Sequence, residues 1–161
     1  MKRKMNEKQE AETLFIRKWC LTILDFIYSD NVIHTDVIEL RKQAFDEKTK
    51  TRYLEQTTPG IYLKGLRQAF NDINDMALNA PNQLLEKLNN TLFTQFGQDL
   101  STYSQNNSSR LEEIVKRGKI INDEEFRFVE QKVSDICQID AQSQQVIILN
   151  NLLAAYYILK R

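Results

Sequence analysis

Histidine, glycine, proline and cysteine are all scarce in this 161-residue sequence, at one, four, two and two copies. Each scarcity removes a class of chemistry. The single histidine, His34, cannot form a two-histidine metal site, and no second imidazole remains to activate a nucleophile. With Asp36 it resembles metal-dependent phosphohydrolases superficially, but the further histidines of such a centre are missing, so it reads as part of a helix start. The glycines stand alone at 60, 65, 97 and 118, and none builds a phosphate-cradling loop. With so few glycines and prolines a strand-rich fold lacks its turns, and long helices are expected. No apolar run reaches the roughly 18 residues of a membrane span. Net charge is absent as well: 22 basic and 22 acidic side chains cancel. The general attraction that supplies most non-specific nucleic-acid affinity is therefore missing. Cys20 and Cys137 fall inside helical apolar patterns and read as small buried residues in a reducing compartment. Met1-Lys2-Arg3-Lys4 mimics a signal peptide's basic start, but Glu7, Glu10 and Glu12 follow it. Arg17, Lys18 and Asp25 then interrupt the next apolar stretch, so the expected location is the cytoplasm.

What is present is helical periodicity. Leu14, Phe15, Trp19, Ile23, Phe26 and Ile27 recur at spacings of three and four, predicting a first helix over Glu7 to Tyr28. Residues 1–13 are charged and expected to fray. A second helix is expected over Asp36 to Glu55, with Thr35 as its cap and a narrow face of Val37, Leu40, Ala44 and Phe45. Its stretch 46–52 is polar all round and reads either as exposed helix or as loop. Thr58-Pro59 starts a third helix, carrying Leu63, Leu66, Phe70, Ile73 and Ala77, with Gly65 and Ala69 keeping a neighbouring side thin. Pro81 restarts the chain into a fourth, over Leu84 to Phe96, closed by Gly97. Residues 98–108 are rich in Ser, Gln and Asn and are expected to form a loop or hinge. Ser109-x-x-Glu112 then reads as a capping box, opening a short helix that Gly118 ends. Asn122 followed by Asp123, Glu124 and Glu125 is a strong start for the next, and Asp140 is expected to cap the last.

That last helix, Val146 to Leu159, is apolar on nearly every side, with only Asn150 and Asn151 strongly polar. Such a helix is expected at the centre of a bundle. The fold class that follows is all-α: a single domain over 1–161, of about six or seven helices, with the C-terminal helix central.

Three charged groupings bear on function. Asp123, Glu124 and Glu125, with Glu112, Glu113 and Glu130 near them, form the densest acidic group. They serve a helix dipole and a solvated face, or dock a basic partner. Glu7-x-x-Glu10 has no second carboxylate pair on a facing apolar helix, so the magnesium site of all-α pyrophosphohydrolases is not assembled. Arg110 to Glu130 has the length of a helix-turn-helix, but its second helix would turn three carboxylates toward phosphate. Lys2, Arg3, Lys4, Lys8, Arg17 and Lys18 make the N-terminal segment basic, either as a solvated face or as a weak anionic contact.

Residues 111–129, with Gly118-Lys119-Ile120 and Asn122-x-x-Glu125 between two helices, resemble a unit found in small all-α bacterial immunity proteins. Those proteins belong to contact-dependent growth inhibition and related toxin systems. The resemblance covers about an eighth of the chain, and it implies a non-catalytic protein that blocks one toxin domain. Such proteins share no binding motif, so no binding residue is carried over. The expected function is a protein-binding inhibitor, with a cognate toxin domain, a nuclease, as partner and with no cofactor, metal or membrane. Glu113, Asp123, Glu124 and Glu125 are the candidate contacts. The alternatives are a nucleic-acid-binding regulator using the basic N-terminal segment, and a helical adaptor marked by an exposed apolar seam on the second or third helix.

Overall fold

The structure, a computed structural model, describes residues 4–29 and 35–160. Among these it is all-α, with eight helices: α1 (Glu7–Tyr28), α2 (Thr35–Gln43), α3 (Glu47–Gln56), α4 (Pro59–Leu78), α5 (Asn82–Phe96), α6 (Leu100–Arg117), α7 (Asp123–Asp140) and α8 (Gln144–Leu159). The single helical domain expected over the chain is built from two compact units, Met1–Tyr103 and Ser104–Arg161.

In the first unit α1 is the hub. It starts at a capping box: Gln9 N–H donates to Asn6 Oδ1 at 2.9 Å, and Asn6 N–H donates to Gln9 Oε1 at 3.0 Å. Thr13, Ile16, Trp19, Cys20, Ile23 and Leu24 are buried along it. The expected fraying therefore does not extend into 7–13. Glu10 pairs with Lys50 and Glu12 with Arg67, which hold the first turns down. Residues Tyr62, Leu63 and Leu66 of α4, Leu88 and Leu92 of α5, and Leu100 close the same core. Phe15, Trp19, Phe70 and Phe96 form an aromatic cluster with ring centroids 5.2–6.3 Å apart. Each such ring contributes about 0.5–1.5 kcal/mol per pair beyond its area burial. Trp19 Nε1 donates to the buried Asn74 Oδ1 at 2.7 Å, which fixes the rotation of α4 against α1.

The second helix read from the sequence is two. Asp46 interrupts it by accepting from Thr49 N–H at 2.6 Å, an N-cap that starts α3. Phe45, in the break, is buried, and Arg17 Nε donates to its carbonyl at 2.5 Å. The stretch 46–52, left open between helix and loop, is a cap followed by helix. His34 and its pairing with Asp36 lie outside the described residues, as does the Thr35 side chain. Thr58 caps α4 by accepting from Ile61 N–H at 3.3 Å, and Gly97 closes α5 in the left-handed region at φ 71°.

The polar segment 98–108 is helix from Leu100 on, not loop, and Ser109 lies inside α6 rather than at its cap. Asp99 Oδ1 accepts from Thr102 N–H at 3.1 Å, and Asn89 Oδ1 accepts from Leu100 N–H at 3.1 Å. With the first turn satisfied and Leu100 fully buried, the serines and amides need only occupy the water-facing side.

In the second unit, Leu111 and Ile114 of α6, Ile120, Val129 of α7, and Leu149 and Leu152 of α8 make the core. Gly118 at φ 71° turns the chain after α6. Asn122 Oδ1 accepts from Glu125 N–H at 2.8 Å to start α7. Ser143, not Asp140, caps α8, accepting from Val146 N–H at 3.3 Å. The expectation that α8 is central is corrected here. Only Val146, Leu149 and Leu152 are buried in it, while Ile147 is 56% and Ile158 70% exposed. An all-round apolar helix buries the side its neighbours reach, and α6 and α7 reach one side.

Candidate functional site

The four carboxylates singled out in the sequence do not form one open acidic face. Glu125 is 8% exposed and structural: Ile121 N–H donates to its Oε2 at 3.1 Å, and Arg117 pairs with the same oxygen. Asp123 pairs with Lys160 and accepts from the Tyr156 hydroxyl at 2.9 Å. That bond to the carboxylate raises the Tyr156 pKa. Glu124 is exposed and meets Arg110 at 3.2 Å, while the Arg110 guanidinium lies 4.7 Å from the Phe128 ring centroid. Glu113 is exposed, as are Glu112 and Glu130. Three of the four candidates are thus interleaved with Arg110, Arg117 and Lys160. The two exposed pairs, Asp123 with Lys160 and Glu124 with Arg110, contribute little to stability. Their fields largely cancel beyond a Debye length of about 8 Å at physiological salt.

The basic N-terminal segment is likewise divided. Lys2 and Arg3 lie outside the described residues. The Arg17 side chain is 13% exposed and is committed to the Phe45 carbonyl and to Glu47. Glu10 and Glu12 occupy the turns between the cations. Among the described residues, no group of three His, Cys, Asp or Glu side chains is placed to hold a metal ion. No helix among them is long and apolar enough to cross a membrane.

A groove of about 520 Å³ lies in the first unit, between α2, α3 and α4. It exists because α2 does not bury the face expected of it. Val37 is 42% and Leu40 69% exposed, and Ala44 is exposed; of that face only Phe45 is buried. Gly65 and Ala69 line one wall, one turn apart on α4, with Ile61 a turn earlier at 61% exposure. Tyr53 of α3 is half exposed, its ring centroid 6.1 Å from that of Tyr62. A Cβ added at Gly65 would meet nothing within 4 Å. The wall is thin, as the sequence indicated, but no described helix fills the space it leaves. Among the described residues Arg52 is the one ionised side chain in the lining, with its guanidinium 5.8 Å from the Tyr53 ring centroid.

Leu40, Arg52, Tyr53 and Ile61 had been passed over as site residues. Each comes from a different helical face in the sequence, and only the packing of three helices brings them together. The one trace visible beforehand is the Ile61, Gly65, Ala69 spacing of four, which puts small residues beside an apolar one on one stripe. A concave apolar surface with an aromatic and a guanidinium at its rim is suited to holding a side-chain ridge of another helix. Comparison with known proteins finds no family model, no curated protein and no solved structure that matches the chain.

Proposed function

We propose that this protein acts by holding another protein, as a non-catalytic inhibitor of the immunity or antitoxin kind that occludes the active site of a toxin domain. The groove of the first unit carries this reading. Its apolar wall with Leu40, Tyr53 and Ile61 at the rim supplies the desolvated centre that binding energy concentrates on. Glu112, Glu113 and Glu124 of the second unit would act as steering charges toward a basic cleft, setting association rate more than affinity. Glu125 has no part in this, since its carboxylate is spent inside its own unit.

The test is neutralisation. The purified chain, titrated against a toxin domain encoded by a neighbouring gene, is expected to abolish that domain's activity at one-to-one stoichiometry, and the absence of any such gene would leave the reading without a partner. Gly65→Leu, whose Cβ meets nothing within 4 Å and whose branch extends toward the groove, is expected to weaken binding at least tenfold while the fold persists. Full toxin activity in the presence of excess protein would exclude the inhibitor. The helical adaptor is the second reading, because the exposed seam that distinguishes it is present at Val37, Leu40 and Ile61. Binding that Gly65→Leu abolishes, with the partner's activity intact, would favour it.

A further inference from the structure

The open side of α8 carries a second inference, independent of the groove. From Gln144 to Leu159 this helix contains no ionised side chain. Its buried side is Val146, Leu149 and Leu152. At 100° per residue, Ile147, Asn151, Ala154 and Ile158 form a single stripe directly opposite, all of them exposed. The spacing is four, three, four, which is the seam of a helix that pairs with another helix. Ile148, 40% exposed, and Ala155 flank the stripe on one side. Beside them a depression of about 570 Å³ runs between α6 and α8, lined in part by Leu111, Val115 and Ile148.

We propose that this stripe is a self-association surface, on which α8 of a second copy packs about a two-fold axis. A two-fold axis demands a patch that is complementary to itself, with residue i meeting j and j meeting i, so a seam of like charges is disfavoured. α8 has none. Ala154 and Ala155 let the two backbones approach, and Asn151 is a polar residue within an apolar seam, a feature that selects two-stranded pairing over larger assemblies. The area sets the strength. Ile147, Ile148 and Ile158, exposed by 40–70%, together with Asn151 and the two alanines, offer roughly 500 Å² per copy. Pairing then removes on the order of 1,000 Å², the size of a weak, reversible interface rather than an obligate one. The dimer is therefore expected to be concentration-dependent.

Analytical ultracentrifugation of the whole protein, from about 5 to 300 μM, tests this. The weight-average mass is expected to rise from 19.0 kDa toward twice that value across the range. Ile147→Lys combined with Ile158→Lys places four ammonium groups in the seam and is expected to weaken pairing at least a hundredfold, with the helical circular dichroism retained because both side chains are exposed. Asn151→Leu is expected to tighten it about tenfold. Ile139→Lys, at a 90% exposed position on α7 outside the stripe, is expected to leave the mass unchanged. A monomer at every concentration would overturn the proposal. So would a dimer that survives the double lysine variant, or one that Ile139→Lys dissolves equally well.

Discussion

The two units place their most apolar helices in opposite circumstances. In the first, α1 carries charge along much of its length and is nevertheless enclosed. α4 and α5 cover its apolar side, and its Glu10, Glu12 and Arg17 are taken up by Lys50, Arg67 and Glu47. In the second, α8 carries no charge at all and is half bare. Among the described residues the first core holds thirteen buried apolar side chains and the second six, and the difference lies in neighbours rather than in apolar content. A helix becomes central by having partners on several sides. Hydrophobicity makes burial favourable, but cannot supply the covering elements.

The sharpest way to break this comparison is at the hub. Trp19→Ala should destabilise the first unit by about 3–5 kcal/mol, the range for deleting a large buried ring. It also removes the only donor to Asn74 Oδ1, and Asn74 Nδ2 already lacks a hydrogen-bond partner. Urea unfolding followed by circular dichroism would read the loss, and a change under 1 kcal/mol would mean that α1 is not the hub. In the second unit the counterpart is a carboxylate. Glu125→Ala leaves the Arg117 guanidinium and the Ile121 N–H without their acceptor, at a cost of about 2–3 kcal/mol. Glu124→Lys at the neighbouring exposed position should change stability by no more than about 1 kcal/mol. Equal losses in the two variants would contradict the separation between a structural and a surface carboxylate.

The two units also differ in how well they could be read from sequence. α1, α4 and α5 were legible to within a residue or two. Each joins a strong three-four spacing to a punctuating residue: the stop after Tyr28, Thr58-Pro59, Pro81 and Gly97. The start of α6 was not, because a stretch of Ser, Thr, Gln, Asn and Asp broken only by Leu100 and Tyr103 looks the same whether it forms a loop or the wet side of a helix. The deciding contact, Asn89 to Leu100, spans two helices. The cap that divides α2 from α3 was missed because Asp46 sits among other charges. The surface of α8 and the groove beside α4 share one reason for their obscurity. Periodicity tells which residues want to leave water, and it is silent on which of them find cover. For the acidic group, sequence density was the wrong guide. Arg110, Arg117 and Lys160 are 14, 8 and 37 positions from their partners Glu124, Glu125 and Asp123, and the fold interleaves them.

Gly65 offers a smaller test, specific to the first unit. Gly65→Ala adds a methyl group into open space within a helix, so it should stabilise the unit by about 0.5–1 kcal/mol. A loss of stability would show that the wall of the groove is in fact covered.

The gentlest perturbation is acid, and it too falls on the first unit. Hydrogen bonding from Arg67 holds the Glu12 carboxyl below its ordinary value of 4.5, and Arg17 does the same for Glu47. Asp46 is lowered by the backbone N–H of Thr49 at the start of α3. In each case the folded pKa lies below the unfolded one. The stabilisation is therefore complete above the ordinary carboxylate range and is lost as pH falls through the folded values. Glu47 is exposed and Glu12 and Asp46 are half-buried at the surface, so solvent screening keeps each contribution small. The thermal midpoint should be flat from pH 7 to about pH 5 and decline below about 4.5. Glu47→Gln should lower the plateau slightly and make the decline shallower, because the amide cannot take up the proton whose binding drives it. A decline of unchanged steepness in that variant would place the acid sensitivity elsewhere than the Arg17 pair, and with it the reason that α3 stays docked on the hub.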